Sequence, residues 1–255
     1  MNQTKKLILR SIGGHLHAVH FTNDKNNKSK DPKDIPIVLI CHGFKGDKYE
    51  WDRFPETAIA LNKIGFDSLI FDFSGSGENE RELITLSKQA RDLEDVYDWV
   101  INQGYSNIAA IGLSFGGLTL LVANLPEIKT KVFWAPGFYL KKMFPSSMVK
   151  NLKKKPLRIP SSGEFEPITI DHTFVEDLSN YDSNSYLNSL VIPTIIIQGT
   201  GDTTIGLDNT REAFKHLPQD DHHKLVEIDD ATHDFKGDHL VKFIELTIDW
   251  LKKYL

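Results

Sequence analysis

The sequence contains a single cysteine, Cys41, among 255 residues. No disulfide can close within the chain, which excludes a disulfide-stapled scaffold and leans toward a reducing compartment. Positive charge is not in excess: 30 Lys and Arg stand against 35 Asp and Glu, a net charge of −5. That balance holds no polyanion, so nucleic acid is not an expected partner. Long apolar runs are missing too. The N-terminus has lysines but only a short apolar run at 7–9. A signal peptide needs roughly 7–15 apolar residues and a membrane span about 20. The chain therefore reads as a soluble, cytoplasmic protein without a transmembrane segment. A homodimer stays open. No His, Cys, Asp and Glu cluster has zinc spacing, and Gly75-Ser-Gly77 lacks the third glycine and following helix of a dinucleotide site. No metal and no cofactor is expected.

Apolar residues make up 40% of the chain, enough for one large core, and the length requires no second domain. Two β-compatible runs, 7–10 and 15–21, flank Gly13-Gly14 and predict a hairpin. A polar stretch, 22–36, reads as an exposed loop. Apolar strand-like runs then alternate with helical patterns. Strands are predicted at 35–41, 67–73, 108–113, 131–135, 194–198 and 224–228. Helices are predicted at 54–63, 86–101, 117–124, 208–217 and 239–255. Within the second of these, Leu86, Ala90, Leu93, Tyr97, Val100 and Ile101 draw one stripe at helical spacing. Continuous apolar strands between helices imply a mostly parallel sheet covered on both sides, hence an α/β fold in one domain, 1–255.

The segment 136–190 breaks the rhythm with Pro145, Pro156, Pro160 and Pro167. Its first half, 136–160, has seven Lys and Arg and no acid, and the stretch 161–185 has six Asp and Glu and no Lys or Arg. It reads as a cap inserted after a strand, lying over the carboxyl edge of the sheet. The lysine-rich run 150–155 is either a solvated face or an attractor of anionic substrates or membranes.

Chemistry gathers at strand ends. Gly112-Leu-Ser114-Phe-Gly116 lies between a predicted strand and helix. By chance such a pattern occurs about one time in ten in a chain this long, so its placement decides. A serine on a tight strand-to-helix turn is forced outward, and the helix start favours developing negative charge. A hydroxyl needs a base to become a nucleophile. His233 follows the strand at 224–228, on the same sheet edge, whereas His216, His222 and His223 lie before that strand and face the other edge. Asp202 follows the strand at 194–198 and is the expected acceptor for the second imidazole N–H, ahead of the alternative that it shapes a turn or caps the next helix. Asp230 and Asp234 are so near His233 in sequence that loop shaping is their expected role. Cys41 beside His42 ends an apolar strand and reads as buried packing. Phe133, Trp134, Phe138, Tyr139, Met143 and Phe144 line either a substrate pocket or the core. Trp134, Phe138 and Tyr139 are the candidate substrate-binding residues.

From about residue 35 to 255 the chain resembles the α/β-hydrolase superfamily, in the order Ser114, Asp202, His233. The resemblance rests on His42-Gly-Phe-Lys-Gly46, Phe71-Asp-Phe-Ser-Gly75-Ser-Gly77, the turn at Ser114, Gly199-Thr-Gly-Asp202 and Ala231-Thr-His233. Within the superfamily it is similar to bacterial cinnamoyl and feruloyl esterases and related small carboxylesterases. The resemblance implies a serine hydrolase of small-molecule carboxylic esters working through an acyl-enzyme. It also implies an oxyanion hole built from the backbone N–H groups of Phe44 and Phe115, donors typically worth about 2.7–4 kcal/mol each. A thioesterase, an acyltransferase or a small peptidase would use the same three residues. A non-catalytic ligand binder would need none of them.

Overall fold

The structure is a computed structural model that describes residues 2–23 and 31–255. Part of the loop expected at 22–36, residues 24–30, lies outside the described residues. The chain opens with the expected antiparallel hairpin, β1 (Asn2–Ser11) and β2 (Gly14–Asn23), but it turns at Ile12-Gly13, one residue before the expected Gly13-Gly14, because Gly14 already pairs with Ser11. It continues through β3 (Ile37–Cys41), α1 (Arg53–Lys63), β4 (Asp67–Phe71), α2 (Leu86–Asn102), β5 (Ile108–Leu113), α3 (Phe115–Val122) and β6 (Thr130–Trp134).

After β6 come a short 3-10 turn, α4 (Ser146–Lys154), β7 (Leu157–Ile159), β8 (Ile168–Ile170), α5 (His172–Leu178) and α6 (Ser183–Asn188). The chain closes with β9 (Thr194–Gly199), α7 (Leu207–Phe214), β10 (His223–Ile228) and α8 (Asp238–Tyr254). No helix among the described residues is long and apolar enough to cross a membrane.

Eight strands form one sheet in the order β1-β2-β4-β3-β5-β6-β9-β10. β2 pairs antiparallel with β1 and β4, and the strands from β4 to β10 are mutually parallel. β3, β4, β5, β6 and β9 are buried throughout, which is why β3 and β5 appear in the sequence as unbroken apolar runs and the other three carry apolar stretches. The period of two sorts their side chains. Ile37, Leu39 and Cys41 of β3 enter a core under α2, α3 and α6, while Val38 and Ile40 enter a second core under α1 and α8. The chain leaves β3 for β4 on one side and leaves the adjacent β5 for β6 on the other. The crevice above the carboxyl ends of β3 and β5 is therefore a topological switch point.

The segment between β6 and β9 has no βα repeat. Its basic half folds back on its acidic half: Lys153 pairs with Glu176 at 3.0 Å and Arg158 with Glu166 at 3.6 Å. Both pairs are exposed and contribute little to stability. Longer-range bonds fix the segment. Ser162 donates its N–H to Lys45 O at 2.7 Å, and Thr169 O accepts the Ile84 N–H at 3.4 Å. Ser87 N–H and hydroxyl both donate to the Asp177 carboxylate. These contacts hold the segment across the loops that leave β3 and β4.

Candidate active site

Ser114 occupies the one-residue turn between β5 and α3, with φ 53° and ψ −115°, a strained conformation for a residue bearing a Cβ. Its N–H donates to Trp134 O at 2.9 Å, and its carbonyl accepts from Gly137 and Gly117. Close packing of the turn explains its glycines. A Cβ on Gly116 would stand 2.4 Å from His42 O, so the residue after Phe115 has to be glycine for α3 to start this near β3.

The structure brings Ser114, His233 and Asp202 together from the ends of β5, β10 and β9. His233 Nε2 is 3.1 Å from Ser114 Oγ, and His233 Nδ1 is 2.8 Å from Asp202 Oδ2. A carboxylate only accepts, so Nδ1 carries the proton and Nε2 is left to accept from the serine hydroxyl. Asp202 has no vacant oxygen. Thr204 and Ile205 donate backbone N–H groups to Oδ1, each at 2.8 Å, and Gln198 Nε2 donates to Oδ2 at 3.0 Å. Burial pushes the Asp202 carboxyl up, but the hydrogen bond and charge of His233, with the donors from Ile205 and Gln198, outweigh it and hold the group below the usual carboxylate range. The loop 229–235 is tied to the Asp202 loop by Gly201 N–H to Ala231 O at 3.1 Å and by Asp230 N–H to Thr200 Oγ1 at 2.9 Å. Asp230, with φ 55°, shapes that loop.

The turn after β3 lies beside the serine: a Cβ on Gly43 would be 3.3 Å from Ser114 Cβ. His42 is fully buried, and its Nε2 accepts the Phe73 N–H at 3.1 Å, so Nδ1–H donates to Gly43 O at 2.9 Å. Among the described residues no acceptor takes the N–H of Phe44 or of Phe115. Cys41 is a packing residue, because burial pushes its thiol up and the nucleophilic thiolate is suppressed.

The aromatic candidates divide. Trp134 does not line the site. It is fully buried in the core beneath α8, its ring edge-on to Phe235 and Phe243 and its Nε1–H donating to Thr247 Oγ1 at 2.9 Å. Phe138 packs edge-on against Phe133. Phe138 and Tyr139 border a cavity of about 270 Å³ with Leu118, Tyr181 and Asn184, and neither Ser114 nor His233 is among its walls. The rings packed around the two candidate oxyanion residues are others. Phe174 of α5 lies 5.5 Å from the Phe44 ring, 5.6 Å from Phe115 and 5.4 Å from Phe144. Phe174 was hidden in an acidic, irregular stretch of sequence with no periodicity to mark it.

A family model described as alpha/beta hydrolase fold matches residues 36–127. A solved structure of Est1E from Butyrivibrio proteoclasticus with ferulic acid bound superposes with a TM-score of 0.79, at 20% identity, covering 97% of this chain and 98% of that one. The chain has the α/β-hydrolase fold. A second solved structure, the esterase Pf2001 from Pyrococcus furiosus, gives a TM-score of 0.72 at 19% identity over 99% of this chain and 93% of that one. In sequence, a carboxylesterase of Bacillus subtilis (strain 168) is 24% identical over 197 residues, 72% of this chain and 79% of that protein.

Proposed function

We propose that the protein hydrolyses carboxylic esters, with Ser114 as nucleophile, His233 as general base and then general acid, and Asp202 as the acceptor that fixes the imidazole. One observation carries this reading: His233 bridges Ser114 Oγ at 3.1 Å and Asp202 Oδ2 at 2.8 Å. The sequence likeness to a carboxylesterase and the fold shared with Est1E support it.

In the proposed reaction His233 Nε2 takes the Ser114 proton as Oγ attacks the ester carbonyl. The carbonyl oxygen becomes an oxyanion, to which the N–H groups of Phe44 and Phe115 donate, and Asp202 stabilises the imidazolium. His233 then gives its proton to the departing alkoxide, leaving an acyl-Ser114. Water repeats the sequence: it loses a proton to His233, attacks the acyl carbon, and Ser114 leaves as the hydroxyl while the carboxylic acid departs. The segment 136–190 acts as a cap whose half-buried Phe144, with Phe44, offers an apolar aromatic wall, backed from the core by the fully buried Phe174 and Phe115. That wall favours an apolar or aromatic acid portion in a small-molecule ester. With its one cysteine buried, the protein suits a reducing cytoplasm.

Labelling with a fluorophosphonate, followed by turnover of p-nitrophenyl esters from acetate to laurate and of methyl ferulate, tests the reading. Ser114→Ala loses both the label and about 10⁶-fold in kcat while keeping its circular dichroism. Absence of label on folded protein, or turnover confined to CoA thioesters or aminoacyl amides, would overturn it.

A further inference from the structure

Where the chain enters α1 from β3 it buries an ion pair that the proposed reaction does not use. Glu50 and Arg53 are 2% and 4% exposed, and Arg53 Nη2 donates to Glu50 Oε2 at 2.8 Å. A buried pair of this kind is seldom worth more to stability than apolar side chains of the same volume. The backbone is also strained. Glu50, Trp51 and Asp52 all have positive φ, 44°, 52° and 68°, although none is glycine. Strain and buried charge at one place, next to a reactive site, call for a reason beyond packing.

The hydrogen bonds supply one. Glu50 Oε1 accepts the Gly43 N–H at 2.8 Å, inside the turn that leads to Phe44. The carboxylate lies so close that a Cβ on Gly46 would stand 2.0 Å from Oε1. On the far side of Gly43, its carbonyl accepts from Gly46 N–H at 3.0 Å and from His42 Nδ1 at 2.9 Å. A trans peptide points its N–H opposite its C=O. Fixing the Gly43 carbonyl therefore sets the direction of the Phe44 N–H, and Glu50 fixes the peptide just before it. Arg53 extends the link. Nε donates to Glu50 O at 3.1 Å and Nη1 to His233 O at 3.4 Å, while the guanidinium lies 4.9 Å from the Phe235 ring centre.

We propose that Glu50 and Arg53 are positioning residues that set the Phe44 N–H and the His233 backbone relative to each other before substrate arrives. This inference rests on the ester-hydrolase reading. Glu50 fixes the side of the site that receives the oxyanion, and Arg53 joins it to the side that moves the proton. Neither side chain touches the reacting atoms. Their effect is preorganisation, so it belongs to the transition state more than to substrate binding.

The test is kcat and KM on p-nitrophenyl butyrate, expressed per serine titrated with fluorophosphonate, together with Ki for an alkyl trifluoromethyl ketone. That ketone forms a tetrahedral oxyanion adduct on serine. Glu50→Ala lowers kcat per titrated serine by about 10²–10³, and the ketone's Ki rises in proportion. KM stays within about threefold, because uniform binding is untouched. Glu50→Gln recovers most of the rate, since its amide oxygen still accepts the Gly43 N–H. Arg53→Lys loses about tenfold, because one ammonium cannot replace three separate guanidinium donors.

A merely structural role would lower the titratable fraction and the melting temperature while leaving turnover per titrated serine and the ketone's Ki at parental values. That result overturns the proposal. Should Glu50→Ala fail to fold, Arg53→Lys decides it by the same two readouts, and parental values there overturn it. No label and no turnover in the unaltered protein would instead defeat the ester-hydrolase reading, and the positioning proposal with it.

Discussion

Gln198 donates its amide N–H to Asp202 Oδ2 at 3.0 Å, the same oxygen that accepts His233 Nδ1–H at 2.8 Å. Thr210 Oγ1 in turn donates to Gln198 Oε1 at 2.8 Å, which fixes which end of the amide faces the carboxylate. Gln198, Asp202 and Thr210 are all buried. Gln198→Met keeps the length of the side chain but removes the donor and leaves Thr210 without its acceptor. The expected cost is about 1.5–3 kcal/mol of stability, as for a hydrogen bond to a charged group. If the imidazole also loses its alignment, kcat falls by about ten- to a hundredfold. Urea unfolding and ester turnover measure the two effects separately. An unchanged urea midpoint would show that Gln198 does not support the acid.

Asp202→Asn probes the tautomer. An amide in place of the carboxylate can donate to Nδ1, which moves the imidazole proton to Nε2 and leaves nothing to accept from Ser114. The expected loss in kcat is about 10⁴-fold with the fold retained. Full activity in Asp202→Asn would transfer the role to another acceptor.

The sequence revealed the sheet and the three proposed catalytic residues for the same physical reason. Strands buried on both faces cannot alternate in polarity, so Ile37–Cys41 and Ile108–Leu113 stand out as apolar runs, and whatever follows them lies on one sheet edge. Ser114 and Asp202 come within a few residues of such an end, and His233 within a few residues of the end of the half-buried edge strand β10. Trp134 lies in the core and not at the substrate site, an outcome the sequence leaves undecided because a period of two does not say which face each residue takes. Phe133 enters the core under α3, and its neighbour Trp134 therefore enters the one under α8.

Other features depend on contacts with no local pattern. The segment 136–190 is built of elements of three to nine residues held by Lys45, Ile84 and Ser87, so no periodicity announced it. Glu50 and Arg53 look like surface charges at the entry to α1. Only the curl of the chain through three residues of positive φ turns them inward.

Trp134→Phe tests that correction. The substitution removes the Nε1–H bond to Thr247 and leaves a small void beneath α8. It costs about 1–3 kcal/mol in urea unfolding. Ester kcat/KM stays at the parental value, because the ring is fully enclosed in the core. A selective change in KM across the p-nitrophenyl series would return Trp134 to the substrate site.

The Asp177 carboxylate receives the backbone N–H of Ser87 at 2.8 Å in the first turn of α2, a position where the helix dipole favours a negative charge. The hydroxyl of Ser87 also reaches Tyr181 OH at 2.8 Å. Asp177→Ala removes this anchor of the 136–190 segment, at about 1–2 kcal/mol. Amide hydrogen exchange then speeds up across α5 and α6 and stays unchanged in β3 and β5. Uniform exchange across the chain would mean that the segment is not held locally at Ser87.

His20 makes stability depend on pH. Its ring lies edge-on to Trp99 and Tyr105, each at 6.0 Å between centres, and its cross-strand partner on β1 is Lys5. Burial first, and then the Lys5 charge, lower its pKa to about 4. Above pH 6.5 the imidazole is neutral in both the folded and the unfolded chain, so its full contribution to stability is present. Between pH 6.5 and 4 the unfolded chain takes up a proton that the folded chain refuses, and stability falls with pH by at most about 3 kcal/mol. Asp92 works in the opposite direction. Burial raises its pKa to about 6, so below pH 6 the folded chain takes the proton first and stability rises as the pH falls. The two effects overlap between about pH 4 and 6, so the unaltered protein shows only their difference. His20→Leu isolates the histidine, because Tyr105 OH keeps its bond to Asp67 at 2.8 Å. Urea unfolding free energies of the two proteins should diverge as the pH is lowered from 6.5 to 4.5, with the variant losing less. Parallel pH curves would mean that His20 is protonated in the folded chain as readily as in the unfolded one.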